Sequence, residues 1–175
     1  MGICLAIADS TVIIAFAKIG RLVLLKRVFR RITISPVVKD EVVDNGLKVF
    51  APEVRYVQQA LAERWLRVTR LTDTEKKLKE RLVSATTLDL GEAESIAVAK
   101  LRGITLLVDE KEARTIARGM GVEPVGSAGI LLEAFKLGYL RLDELEEAVI
   151  DLARVIWLSP DIVVDIIKRA REVKR

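Results

Sequence analysis

The stretch ICLAIADST at residues 3–11 decides how the fold is read. Residues 3–8 are uniformly apolar, too few for a buried helix and without polar alternation, so they read as a strand covered on both faces. Asp9, Ser10 and Thr11 then end the run, all residue types that start helices. A second stretch, ITLLV at 104–108, repeats the pattern and also ends in an acid, Asp109. Shorter β-branched runs at 32–34, 66–69 and 122–125 read as further strands.

Helical patterns separate these strands. They cover 11–18, 22–29, 36–46 after Ser35-Pro36, 52–64, 74–82 and 109–118. Others run from 90 to 102, from a Ser127 cap to Gly138, from 142 to 155, and from Ser159-Pro160 to 173. Pro36 and Pro160 stand where proline is favoured, at a first helical position. Asp89-Leu90-Gly91-Glu92 reads as a capping box, with Asp89 as cap and Glu92 as its third residue. Strands alternating with helices predict an α/β fold of three layers, α/β/α, with a mostly parallel central sheet. Residues 1–140 are expected to form the main domain, and 141–175 a helical C-terminal extension packed on it.

Composition narrows the chemistry. The 175 residues carry 29 Lys+Arg and 25 Asp+Glu, a net charge of +4, with one cysteine and no histidine. A Ser-His-Asp triad, a Cys-His pair and a His-ligated zinc are therefore excluded. Cys4 alone cannot form an internal disulfide. Metal chemistry here must use oxygen ligands, which favours Mg²⁺ or Mn²⁺. The N-terminal apolar run lacks a basic lead and no span has membrane length, so a soluble, cytoplasmic protein is expected. Few Gln, Asn, Cys and Met beside many charges is the bias of heat-adapted proteins.

The oxygen ligands can be named. In open parallel sheets, ligands bind beyond the C-terminal strand ends, where Asp9 and Asp109 fall. Each can equally be a helix N-cap. Glu94 lies in an apolar stripe with Leu90, Ala97, Val98 and Leu101, and Glu41 stands one turn after Val37 and Val38. An inward carboxylate costs several kcal/mol unless compensated. A buried cationic partner or a wet stripe edge would compensate it. So would a divalent cation shared by all four acids.

Ala8-Asp9-Ser10, Ser35-Pro36 with Glu41-Val42, Leu88 to Ala97, Leu106 to Asp109 and Val125 to Gly129 occur in an order that resembles the PIN-domain family of metal-dependent nucleases. The resemblance spans nearly the whole chain. It is greatest to a prokaryotic subgroup of unassigned function, beside the toxin (VapC-like) members. It implies ribonuclease activity with Mg²⁺ or Mn²⁺, an acidic quartet of Asp9, Glu41, Glu94 and Asp109, and auxiliary hydroxyls at Ser10 and Ser127. The family's third acid is commonly Asp, so Glu92 competes with Glu94 for that role. The resemblance also implies an RNA substrate, a homodimer and, for toxin members, an antitoxin partner.

An acidic pocket needs cationic anchors for a polyanion. Arg21, Lys26, Arg27, Arg30 and Arg31 form an acid-free cluster suited to phosphate contacts, and Lys168, Arg169, Arg171, Lys174 and Arg175 add a basic tail. With four Phe, two Tyr and two Trp, extended base stacking is not expected. Other sheet enzymes fit poorly. A dehalogenase-like phosphatase needs Asp where Thr11 stands, a P-loop is lacking, and Pro124 breaks a dinucleotide fingerprint after Gly119-Met120-Gly121. The alternative function is a PIN-fold module that binds nucleic acid or protein with weak or no catalysis.

Overall fold

The structure, a computed structural model, describes residues 5–173. Five strands, β1 (Leu5–Ala8), β2 (Arg31–Ile34), β3 (Leu66–Val68), β4 (Thr105–Leu107) and β5 (Pro124–Val125), form one sheet in the order β3-β2-β1-β4-β5. Every pairing is parallel. The expected β1 is present from Leu5 onward, and Ile3 and Cys4 lie outside the described residues, as do Lys174 and Arg175.

The two-residue period of a strand explains why uninterrupted apolar runs were needed. Ile7 joins Leu106 and Val108 in a cluster on one face, and Ala6 and Ala8 join Ile32, Ile34 and Leu107 on the other. The first face is covered by α6 (Asp73–Ala85), α7 (Leu90–Arg102) and α8 (Lys111–Gly119), which contribute Leu82, Ile96 and Ala113. The second face carries α1 (Ser10–Lys18), α2 (Val23–Val28), α5 (Val54–Ala62) and α9 (Ser127–Lys136). It also carries α10 (Leu142–Ile156) and α11 (Pro160–Glu172), whose Leu145, Leu152 and Ile166 are buried in the same cluster as Phe16 and Ile130. The result is the expected three-layer α/β arrangement.

The chain leaves β1 toward β2 and β3 on one side, then returns to place β4 and β5 on the other. The order therefore reverses between β1 and β4. Helices leave these two strands in opposite directions, which opens a crevice at their C-terminal ends.

The helix expected over 36–46 is not one α-helix. It begins as α3 (Pro36–Lys39), widens into a π-helical segment at Asp40–Asn45, and closes as a short α4 (Gly46–Lys48). The wider turn lets Lys39 reach Asp44, five residues on, at 2.6 Å, with Asp40 at 3.6 Å. It also buries Val42 and Val43 together, which a 3.6-residue period does not align on one stripe. Glu41 sits in this segment.

Candidate functional site

Because all strands run the same way, their C-terminal ends share one edge, and four acids are delivered there from four directions. Asp9 directly follows β1, and its amide donates to the carbonyl of Leu107 at 2.9 Å, tying it to β4. Asp109 follows β4 closely. Glu41 follows β2 through α3, and Glu94 lies near the start of α7, which leads into β4.

Asp9 is 2% exposed. Its Oδ2 accepts from the Thr11 amide at 3.2 Å and the Thr11 hydroxyl at 2.9 Å, so it caps α1 as the sequence allowed. Its Oδ1 is buried with no hydrogen-bond partner. Burial pushes the Asp9 carboxyl above its ordinary range, the Thr11 bonds oppose this, and repulsion from Asp89 adds to it. Burial likewise raises Glu41, opposed by a hydrogen bond from Ser10 and reinforced by Asp89, Asp9 and Glu94. Glu94 is buried, and its Oε2 accepts from the Val37 amide at 3.4 Å.

Asp109 departs from the cap reading. The cap position of α8 is Glu110, and the Asp109 carboxylate turns to the next strand-helix junction. There Oδ1 accepts from the Ser127 amide at 2.7 Å and Oδ2 from the Ser127 hydroxyl at 2.6 Å. Ser127 is accordingly the first residue of α9, with Gly126 at the cap position, which corrects the expected Ser127 cap. Burial raises the Asp109 carboxyl, while Ser127 and the Arg114 charge pull it down.

The capping box at α7 forms as expected: the Glu92 amide donates to Asp89 Oδ1 at 2.8 Å and the Asp89 amide to Glu92 Oε2 at 3.0 Å. Sequence reasoning took Asp89 as a cap alone. It also faces the site, because its charge acts on Asp9, Glu41 and Glu92. A cap consensus explains the residue completely at the sequence level and so hides its second neighbourhood.

The basic residues are distributed differently. Arg31 opens β2 and Arg30 precedes it, so Arg21, Lys26, Arg27, Arg30 and Arg31 gather toward the N-terminal edge of the sheet. That edge is about 13 Å of strand from the acids. Arg21 is paired with Glu147 at 2.8 Å and Lys26 with Glu63 at 3.5 Å. The cations beside the acids are Lys18, Lys111 and Arg114, which share cavity walls with Asp109.

Among the described residues no three acids are drawn into a ready-made cation cage. Nor is Asp9, Glu41, Glu94 or Asp109 salt-bridged to lysine or arginine among them. The donor set nevertheless fits a hard divalent ion. It is all oxygen, Glu41 is repelled by Asp9 and Glu94, and Asp9 brings one buried carboxylate oxygen with no proton donor to satisfy it.

The electrostatics make a prediction for the metal-free protein. Burial, with repulsion from Asp89, Asp9 and Glu110, pushes Glu92 up to about 7 from an ordinary 4.5. Between those values the folded chain holds a proton that the unfolded chain releases, so stability falls as pH climbs through this window. Asp44, Glu63 and Glu75 are held low and act with the opposite sign, but at more acid pH. In EDTA, Tm is expected to be lower at about pH 7.5 than at about pH 5, and millimolar Mn²⁺ should reverse the difference. An EDTA Tm that rises over that interval would show the acids are not crowded.

Close packing at α7 gives a second test. A Cβ on Gly91 would stand 3.1 and 3.2 Å from the Glu41 carboxylate oxygens and 3.3 Å from Val38 Cγ2. Gly91→Ala improves helix propensity by about 1 kcal/mol, so the fold should tolerate it. It requires the Glu41 carboxylate to give by a few tenths of an ångström, so any activity that uses Glu41 is expected to drop. Native turnover in this variant would remove Glu41 from the site.

A family profile described as a PIN domain matches residues 5–172. No curated protein matches the chain. No helix among the described residues is long and apolar enough to cross a membrane.

Proposed function

Because the chain belongs to the PIN-domain family, a nuclease-like fold whose members are generally nucleases using divalent metals, we propose that it is a ribonuclease dependent on Mg²⁺ or Mn²⁺. The observation that carries this reading is the unpartnered, buried Oδ1 of Asp9 at the β1/β4 switch point, beside Asp89, whose charge repels both Asp9 and Glu41. Asp9 and Asp109 would hold the ion directly. Glu41 and Glu94 would complete its shell or receive the proton of the attacking water. When bound, the ion supplies charge neutralisation on the phosphodiester and a more acidic water.

The chain's own residues prepare the site. Thr11 fixes one oxygen of Asp9 and leaves the other free, Ser127 grips both oxygens of Asp109, and the Val37 amide orients Glu94. Ser10 acts on Glu41 in the same way. Hydrolysis in this frame forms a bond from water oxygen to phosphorus and breaks the bond to O3′. The products carry a 5′-phosphate and a 3′-hydroxyl.

The test is RNA cleavage with Mn²⁺ and with EDTA, comparing the native chain with Glu94→Gln and Glu92→Gln. Glu94→Gln should lose turnover and Glu92→Gln should keep most of it, since the capping box tolerates Gln. A second reading is a module that binds nucleic acid without cleaving it. A pure preparation that binds RNA without Mn²⁺-dependent cleavage would establish that reading instead.

A further inference from the structure

Among the described residues Trp157 shares with Phe50 an almost full exposure and a positive φ, and of the two it is Trp157 that lines cavities together with Asp109. Its side chain is 93% exposed, and it ends α10 with φ 53° and ψ 47°, a left-handed conformation. Helix ends use glycine or asparagine there, because a β-carbon is strained. An indole held in water on a strained hinge carries two costs and contributes nothing to the core. Such an outlier motivates a functional reading.

Its position supplies that reading. Trp157 lines two adjoining cavities, and Asp109 lines both. The larger, of about 560 Å³, is walled by Lys111 and Arg114 from α8, by Ser159 at the cap of α11 and by Ile162 within it. The smaller, of about 400 Å³, lies along α1 and includes Lys18. Lys111 has no salt bridge to an acid among the described residues. Arg114 gives one bond to the carbonyl of Val108 at 3.4 Å. An exposed indole that shares cavity walls with Lys111, Arg114 and Asp109 suits an unpaired nucleotide, base on the ring and phosphates on the cations. Both volumes are in the range of small-ligand pockets.

We propose that Trp157 is the base-stacking platform of a nucleotide subsite beside Asp109, with Lys111 and Arg114 contacting the phosphates of the same RNA strand. This rests on the ribonuclease reading and adds to it the residue that selects an unpaired base next to the scissile bond. The composition argued against extended stacking, and a single platform is consistent with that. Trp157 is a positioning residue for substrate.

The test uses the two-tryptophan chain and its Trp65→Phe variant, which leaves Trp157 as the only indole. Titrating a non-cleavable 2′-O-methyl single strand in EDTA should quench Trp157 fluorescence, and a blunt RNA duplex should not. Trp157→Gly removes backbone strain and is expected to fold. It should weaken single-strand binding roughly 10-fold, with Trp157→Phe restoring most of it. With Mn²⁺, Trp157→Gly should raise KM and leave kcat near native. Unquenched binding of the single strand, or native affinity in Trp157→Gly, overturns the proposal. So does fluorescence that changes with protein concentration alone, which would assign the indole to a second copy of the chain. Cleavage without quenching sinks this subsite and leaves the ribonuclease reading standing. Quenching without cleavage does the reverse.

Discussion

Asp9→Asn is expected to lower metal-dependent RNA cleavage on the order of 10³-fold while leaving the folded state at least as stable as native. The two halves of this expectation come from the two oxygens of one side chain. Oδ2 caps α1 through Thr11, and asparagine caps a helix as well as aspartate does. Oδ1 is the buried oxygen with no donor, and its negative charge is what a divalent ion would use. Replacing it with a neutral amide removes that charge together with the repulsion from Asp89. The variant should therefore melt at or above the native temperature in EDTA, and Mn²⁺ should raise the native Tm more than that of the variant. Cleavage within tenfold of native would remove Asp9 from the chemistry. A collapse in EDTA stability would make it a structural residue only.

Arg102→Ala should produce the largest loss of stability outside the core, about 3 kcal/mol, or roughly 6–12 °C in Tm. Glu75 is 2% exposed. Its two oxygens accept from Arg102 Nε at 2.7 Å and Nη2 at 2.9 Å. The same guanidinium reaches the Thr69 hydroxyl at 2.6 Å and the Arg70 carbonyl at 2.9 Å. One side chain at the end of α7 thus holds the start of α6 and the segment after β3. Glu75 also completes the α6 capping box with Thr72, so it cannot turn away to solvent without releasing the helix start.

Removing Arg102 leaves a buried carboxylate without its partner, which costs more than the pair contributes when intact. The bond from Arg102 holds the Glu75 carboxyl below its ordinary range. The stabilisation is therefore present at neutral pH and fades as pH falls through that lowered value. The gap between native and Arg102→Ala should narrow in acid. Adding Glu75→Gln to the variant should recover much of the loss, because the amide needs no countercharge. Equal stability of native and Arg102→Ala by urea denaturation would show that water already satisfies Glu75.

How much of this was legible beforehand differs by residue. The strand at β1 and its neighbour β4 were readable because a strand buried on both faces must be apolar at every position. Ala6, Ile7, Ala8, Leu106 and Leu107 obey that rule. The Asp89-Glu92 box was readable because capping acts within four residues. The π-helical widening at Asp40–Asn45 was not, since its buried Val42 and Val43 belong to a core cluster built from residues far away in sequence. The bonds that Asp109 makes were hidden for a related reason. The competing donor, Ser127, is eighteen residues on, and nothing local indicates that β5 will bring it alongside.

The sequence by itself therefore determined the layer architecture and excluded histidine-based chemistry, because each follows from residue type and short-range period. Tertiary structure alone decided which strand neighbours which. That choice puts Asp9 and Asp109 on either side of the switch point, sends the expected arginine cluster toward the opposite edge, and sets Lys111, Arg114 and Trp157 beside Asp109 instead. Local patterns specify elements. Their order in the sheet comes from burying both faces at once, a condition that only the whole chain can satisfy.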